Sequence, residues 1–85
     1  MKNYIKHNAD SDLGVGMAYM EFTDGWATRQ VEVYGQNWRW GDVKHNLWLA
    51  DQPYEVLELG PEHEIAPEEF EAMWKEALKQ CPPPS

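Results

Sequence analysis

The stretch "MAYMEFTDGWATRQVEVY", residues 17 to 34, decides the fold. Two strand-like runs, "MAYMEFT" and "WATRQVEVY", flank Asp24-Gly25. An Asp-Gly pair in that setting predicts a type I′ hairpin turn, because both central residues need φ > 0. A two-residue turn also sets the register: Thr23 faces Trp26, Phe22 faces Ala27, Met20 faces Arg29 and Ala18 faces Val31. Side chains alternate along a strand, so one face carries Ala18, Met20, Phe22, Ala27, Val31 and Val33. The other carries Tyr19, Glu21, Trp26, Thr28, Gln30, Glu32 and Tyr34. The first is the expected core face.

Working outward, "NYIKHN" (3–8) reads as a first strand, joined to the hairpin by a loose, turn-rich "ADSDLGVG" connection. After a "GQN" turn, Trp38 to Trp40 forms the next meander strand. Trp38 and Trp40 point to one side and Arg39 to the other, and two tryptophans suit the core side better than one arginine. "LWLA" (47–50) and "YEVLEL" (54–59) are further extended candidates, separated by Asp51-Gln52-Pro53. In the second of these, Val56 falls on the opposite face from Leu57 and Leu59.

The C-terminal segment predicts a helix over 67–79. Pro67 suits a first helical position, where its missing N–H is not needed. Glu68 and Glu69 favour the positive end of the helix dipole, and Lys75 and Lys79 the negative end. Phe70, Met73, Trp74, Ala77 and Leu78 form one apolar stripe at helical spacing. Glu71 and Lys75 make an i,i+4 pair of the better polarity. "CPPPS" then ends the helix, leaving 1–80 as a single domain and 81–85 as a Pro-rich tail. The stripe needs a partner, and the sheet is the available one. The expected fold is α+β: an antiparallel meander of four to five strands, with the helix across its Ala18/Met20/Phe22/Val31/Val33 face.

Size and charge narrow the function. With 85 residues the core must be economical, and five Trp, four Tyr and two Phe supply it. The single Cys81 excludes an intramolecular disulfide framework, and the first residues, "MKNYIKHNAD", lack the apolar run of a signal peptide. A reduced, cytoplasmic setting without membrane insertion is expected. The net charge is −8, from 15 acids against 7 bases. It is unevenly placed: from Asp51 to Trp74 the acids are Asp51, Glu55, Glu58, Glu62, Glu64, Glu68, Glu69 and Glu71, with no Lys or Arg. Direct nucleic-acid binding, which needs a basic footprint, is therefore disfavoured. A basic protein partner fits, with Asp51, Glu55, Glu58, Glu62, Glu64 and Glu68 as an acidic steering surface.

Catalytic and metal signatures are missing from the sequence. His7, His45 and His63 stand at no metal-ligand spacing, and there is no Cys-x-x-Cys. Ser11 lacks a nucleophile-elbow setting, Cys81 lacks a nearby base, and no Gly-rich phosphate loop is present. No cofactor, no metal and no enzymatic activity are expected. The candidate partner-binding residues are Tyr19, Glu21, Trp26, Arg29, Glu32 and Tyr34. Exposed Trp and Tyr are enriched at interface hot spots, and one helix can cover only one side of the sheet. Arg29 falls opposite Met20 on the apolar side, where a buried guanidinium needs a carboxylate. Two readings stand: an Arg reaching past the core to a Glu at the sheet edge, and an anchor for a partner or ligand.

The quoted motifs also resemble those of an uncharacterised family of short bacterial α+β proteins, a domain of unknown function. The resemblance rests on Tyr4-Ile5, Tyr19-Met20-Glu21, Arg29-Gln30-Val31-Glu32-Val33-Tyr34 and Phe70-Glu71-Ala72-Met73-Trp74, in family order over most of residues 4 to 78. Ala27 stands where the family tends to have a Glu two residues before the Arg. Gly35-Gln36-Asn37 replaces its Asp-Gly after the second hairpin strand. The resemblance implies a compact α+β domain and no particular activity. Taken together, the residues suggest stoichiometric binding, with an immunity-type neutraliser of a basic protein as the concrete form. An acidic mimic of nucleic acid, acting as a counter-defence inhibitor, and a housekeeping accessory subunit are the alternatives.

Overall fold

The computed structural model describes residues 2–45, 48–50, 53–54 and 60–82. Strands β1 (Lys2–Ser11), β2 (Gly14–Thr23), β3 (Trp26–Tyr34) and β4 (Asn37–Asp42) form one four-stranded antiparallel meander in chain order. A 3-10 turn at Pro61–His63 leads into helix α1 (Pro67–Gln80), which packs on the sheet. The α+β architecture is therefore the expected one. Among the described residues no fifth strand joins the sheet: Trp48 to Ala50 do not run as a strand, and residues 55–59 lie outside the described set.

The Asp24-Gly25 turn has φ of 52° and 88°, positive at both positions as a type I′ turn requires. The connection between β1 and β2 is tighter than the composition of "ADSDLGVG" implies. β1 continues to Ser11, β2 starts at Gly14, and the turn between them is Asp12-Leu13. Gly14, at φ 105°, supplies the backbone that closes it.

The β2–β3 register begins as expected, with Thr23 opposite Trp26 and Phe22 opposite Ala27, and then slips between Glu21 and Phe22. Beyond the slip Glu21 faces Arg29, Met20 faces Gln30, Tyr19 faces Val31 and Ala18 faces Glu32. Thr28 is the extra residue of a β-bulge. Its Oγ1 donates to the Glu21 carboxylate at 2.8 Å, which ties the bulged strand to its neighbour. One inserted residue moves everything after it to the opposite face. Arg29, Val31 and Val33 thus join Tyr19 and Glu21, whereas Gln30, Glu32 and Tyr34 join Ala18, Met20 and Phe22. The slip removes Arg29 from its unsatisfiable position opposite Met20.

This swap decides where the helix sits. α1 lies on the Tyr4/Glu21/Arg29/Trp40 side of the sheet, not across the Ala18/Met20/Phe22 face. Phe70 contacts the Tyr4 ring, Trp74 meets Trp40 edge-on at 5.4 Å, and Glu71 reaches Arg29. Phe70 and Ala77 are fully buried, and Met73, Trp74 and Leu78 half-buried, so the apolar stripe does face the sheet. Trp38 and Trp40 lie on this same side, opposite Val33 and Val31, with Arg39 on the other.

The second face is covered as well. Ile5, Met20, Phe22 and Ala27 form a buried cluster under Leu49, Ala50 and Tyr54. Tyr54 meets Phe22 edge-on at 5.1 Å, and its N–H donates to the Gly25 carbonyl at 2.7 Å. Cys81 is not part of a free tail. Its N–H caps the helix on the Ala77 carbonyl, its Sγ lies 3.0 Å from the Trp38 carbonyl, and its own carbonyl accepts the Trp40 indole N–H at 2.6 Å.

Candidate functional site

Three side-chain groupings bear on the residues picked out from the sequence. The first is centred on Arg29. Its Nε and Nη2 donate to the two Glu21 carboxylate oxygens at 2.9 and 2.6 Å, while Nη1 and Nη2 donate to Glu71 at 3.1 and 2.6 Å. The guanidinium carbon lies 5.0 Å from the Phe70 ring centre and 5.2 Å from that of Trp74, within cation–π range. Tyr4 and Thr28 donate hydroxyl hydrogen bonds to Glu21. Burial alone would push the Glu21 carboxyl up, but the Arg29 and Thr28 hydrogen bonds outweigh it and hold it down to about 2. Glu71 is also held below its usual range, first by its hydrogen bond from Arg29.

This grouping is saturated. Glu21 is 2% exposed and its acceptor oxygens are occupied, so neither it nor Arg29 forms a free partner-binding surface. Of the two sequence readings of Arg29, the geometry gives the structural pair, though the second carboxylate comes from the helix. Tyr4, Glu21, Arg29, Phe70, Glu71 and Trp74 all carry the motif resemblance, and all converge on this one guanidinium.

The second grouping lies on the other face. The Tyr34 hydroxyl donates to Glu32 at 2.7 Å, and Gln30 donates to the other Glu32 oxygen at 2.8 Å while accepting the Ala50 N–H. Tyr34 is only 4% exposed, so the expectation of an exposed Tyr34 is corrected. Burial first, and then the Glu32 hydrogen bond, raise its hydroxyl above the ordinary range. Arg39 crosses Trp48 at 4.1 Å and pairs with Asp12 at 2.9 Å, tying the β1–β2 turn to the loop after β4. The sequence places Arg39 opposite Trp38 and Trp40 but offers no sign of these partners, which lie far away along the chain.

The third grouping is open. Trp26 is 54% exposed and lines a groove of about 250 Å³ with Asp24, Gly25, Pro53 and Tyr54. The groove is held on two sides: Trp26 bridges Pro53 through backbone, and Tyr54 is pinned to Gly25. Pro53 and Tyr54 were legible only as a break between two extended runs. Tyr19, the remaining candidate, is half-buried opposite Lys6 on the helix side, away from this groove. The six partner-binding candidates are therefore dispersed, and only Trp26 is broadly exposed.

Of the acidic steering residues, Glu62, Glu64 and Glu68 are exposed, with the Glu64 backbone bridged to Ile5 at the sheet edge. Asp51, Glu55 and Glu58 lie outside the described residues. Among the described residues no helix is long and apolar enough to cross a membrane. Comparison with family models, with curated proteins and with solved structures gives no match.

Proposed function

We propose that this chain is a small acidic interaction module that works by stoichiometric binding to a basic protein, in the manner of an immunity protein holding off a toxin. The observation that carries the reading is the exposed Trp26 in its rigid groove, on a chain of net charge −8. A half-exposed tryptophan beside Pro and Tyr has the composition of an interface hot spot. Its backbone is fixed by a type I′ turn and the Tyr54–Gly25 hydrogen bond, so little ordering entropy is lost on binding. The negative charge would steer the encounter and set its salt dependence, while Trp26 and Tyr54 would limit dissociation.

The direct test is a pull-down from the native cell at low and high salt, with wild-type chain and with Trp26→Ala. A basic partner whose association slows in salt, and whose dissociation speeds at least about tenfold in Trp26→Ala, supports the reading. Retention that is unaffected by Trp26→Ala but lost when Glu62, Glu64 and Glu68 are neutralised would favour the acidic nucleic-acid mimic. Turnover in hydrolase, nuclease or phosphatase assays that survives repurification and vanishes with one His or Glu substitution would overturn both.

A further inference from the structure

The two edges of the sheet are finished differently. At the β4 edge, the Trp38 carbonyl receives the Cys81 thiol and the Asp42 N–H donates to the His45 carbonyl. At the β1 edge, only the first part is covered: the Tyr4 carbonyl accepts the Ile65 N–H at 2.9 Å, and Glu64 bridges Ile5. In an antiparallel strand, backbone groups point alternately toward and away from the neighbour. Tyr4 points outward, so Lys6, Asn8 and Asp10 do too. Among the described residues nothing bonds the outward backbone groups of Lys6 or Asp10. The Asn8 carbonyl meets only the Nδ1 of its own neighbour His7, at 2.7 Å.

We propose that this open part of β1 pairs antiparallel with the same strand of a second copy about a two-fold axis at Asn8, joining two sheets into one. The register follows from which groups are free. A two-fold centred on Asn8 sets Asn8 against Asn8 and Lys6 against Asp10 on both sides, so that every free outward residue finds a partner. Centring on His7 would demand the outward groups of Tyr4, already bonded to Ile65. Centring on Ala9 would run Lys6 against Asp12, beyond the end of the strand at Ser11. The chosen register is also the charge-complementary one, since Lys6 and Asp10 share a face and meet across the axis. A two-fold contact of this kind is self-complementary and closed, so it ends at the dimer. Inward-facing charges on an edge strand discourage unspecific pairing, and here they permit a single register. The His7–Asn8 contact is local and exposed, and the imidazole swings away when the Asn8 carbonyl takes the partner's N–H.

Sedimentation equilibrium on the full chain tests this, at ionic strength of about 0.15 M so that the like charge of the copies is screened. The wild-type chain is expected to dimerise reversibly below about 1 mM. Lys6→Glu alone places Glu against Asp10, and Asp10→Lys alone places Lys against Lys6; each should weaken self-association on the order of tenfold. An equimolar mixture of the two variants restores opposite charges at both pairs and should associate as well as wild type. Thermal melts of each variant establish that both are folded, and recovery in the mixture cannot come from a folding defect. A wild-type chain that stays monomeric throughout, single variants that dimerise unchanged, or a mixture that fails to recover would each overturn the proposal.

Discussion

Arg29 and Glu21 face each other across the β2–β3 bulge and are joined by two parallel hydrogen bonds, at 2.9 and 2.6 Å. Glu21 is 2% exposed, whereas the second carboxylate on Arg29, Glu71, is 43% exposed. Removing the arginine leaves a buried charge without its main partner, and Arg29→Ala should cost about 3–5 kcal/mol. Glu71→Ala removes a solvated partner and should cost only about 0.5–1 kcal/mol. Urea denaturation of both variants near neutral pH checks the order; equal losses would mean that the pair on Glu21 is not the dominant one.

The same carboxylate predicts an acid-sensitive fold. Glu21 ordinarily titrates at 4.5 and is held down to about 2 in the folded chain. Protonation therefore favours the unfolded state: the stabilisation is complete above 4.5 and is lost as the pH falls from there toward about 2. The loss should amount to roughly 3 kcal/mol. Glu71, depressed in the same sense, adds to it. Denaturation midpoints across this window should fall steeply for the wild type and less steeply for Glu21→Gln.

Trp74 joins the helix to the sheet by its contacts with Phe70, Trp40 and the Arg29 guanidinium. It is half-buried, so Trp74→Ala should fall at the low end for an aromatic truncation, about 3 kcal/mol. An unchanged melting temperature would be incompatible with the observed packing of α1.

Gly16 lies beneath β3, where an added Cβ would collide with the Val33 carbonyl oxygen and the Tyr34 ring. The backbone oxygen cannot swing aside. Gly16→Ala should therefore destabilise by about 1–3 kcal/mol through overpacking, despite the better strand propensity of Ala. A neutral or stabilising result in a thermal melt would show that β3 yields at this point.

The local elements were legible in the sequence because their causes are local. Asp24-Gly25 accepts positive φ at both positions, and Phe70 to Leu78 repeat at helical spacing, so the hairpin and helix follow from neighbouring residues alone. The meander follows from short connections between successive strands. The candidate site was much less legible: Trp26 was picked correctly as an exposed aromatic, but Tyr34 and Glu21 were not surface residues, and Pro53 and Tyr54 were missed. What only the tertiary structure decided is the face on which each β3 residue lies. A strand has period two, so the single extra residue Thr28 reverses every later side chain, and nothing local to β3 marks the insertion. Its reason is distant: Arg29 must meet Glu21 on β2 and Glu71 on a helix 42 residues away, because a guanidinium facing Met20 would have no carboxylate to satisfy it.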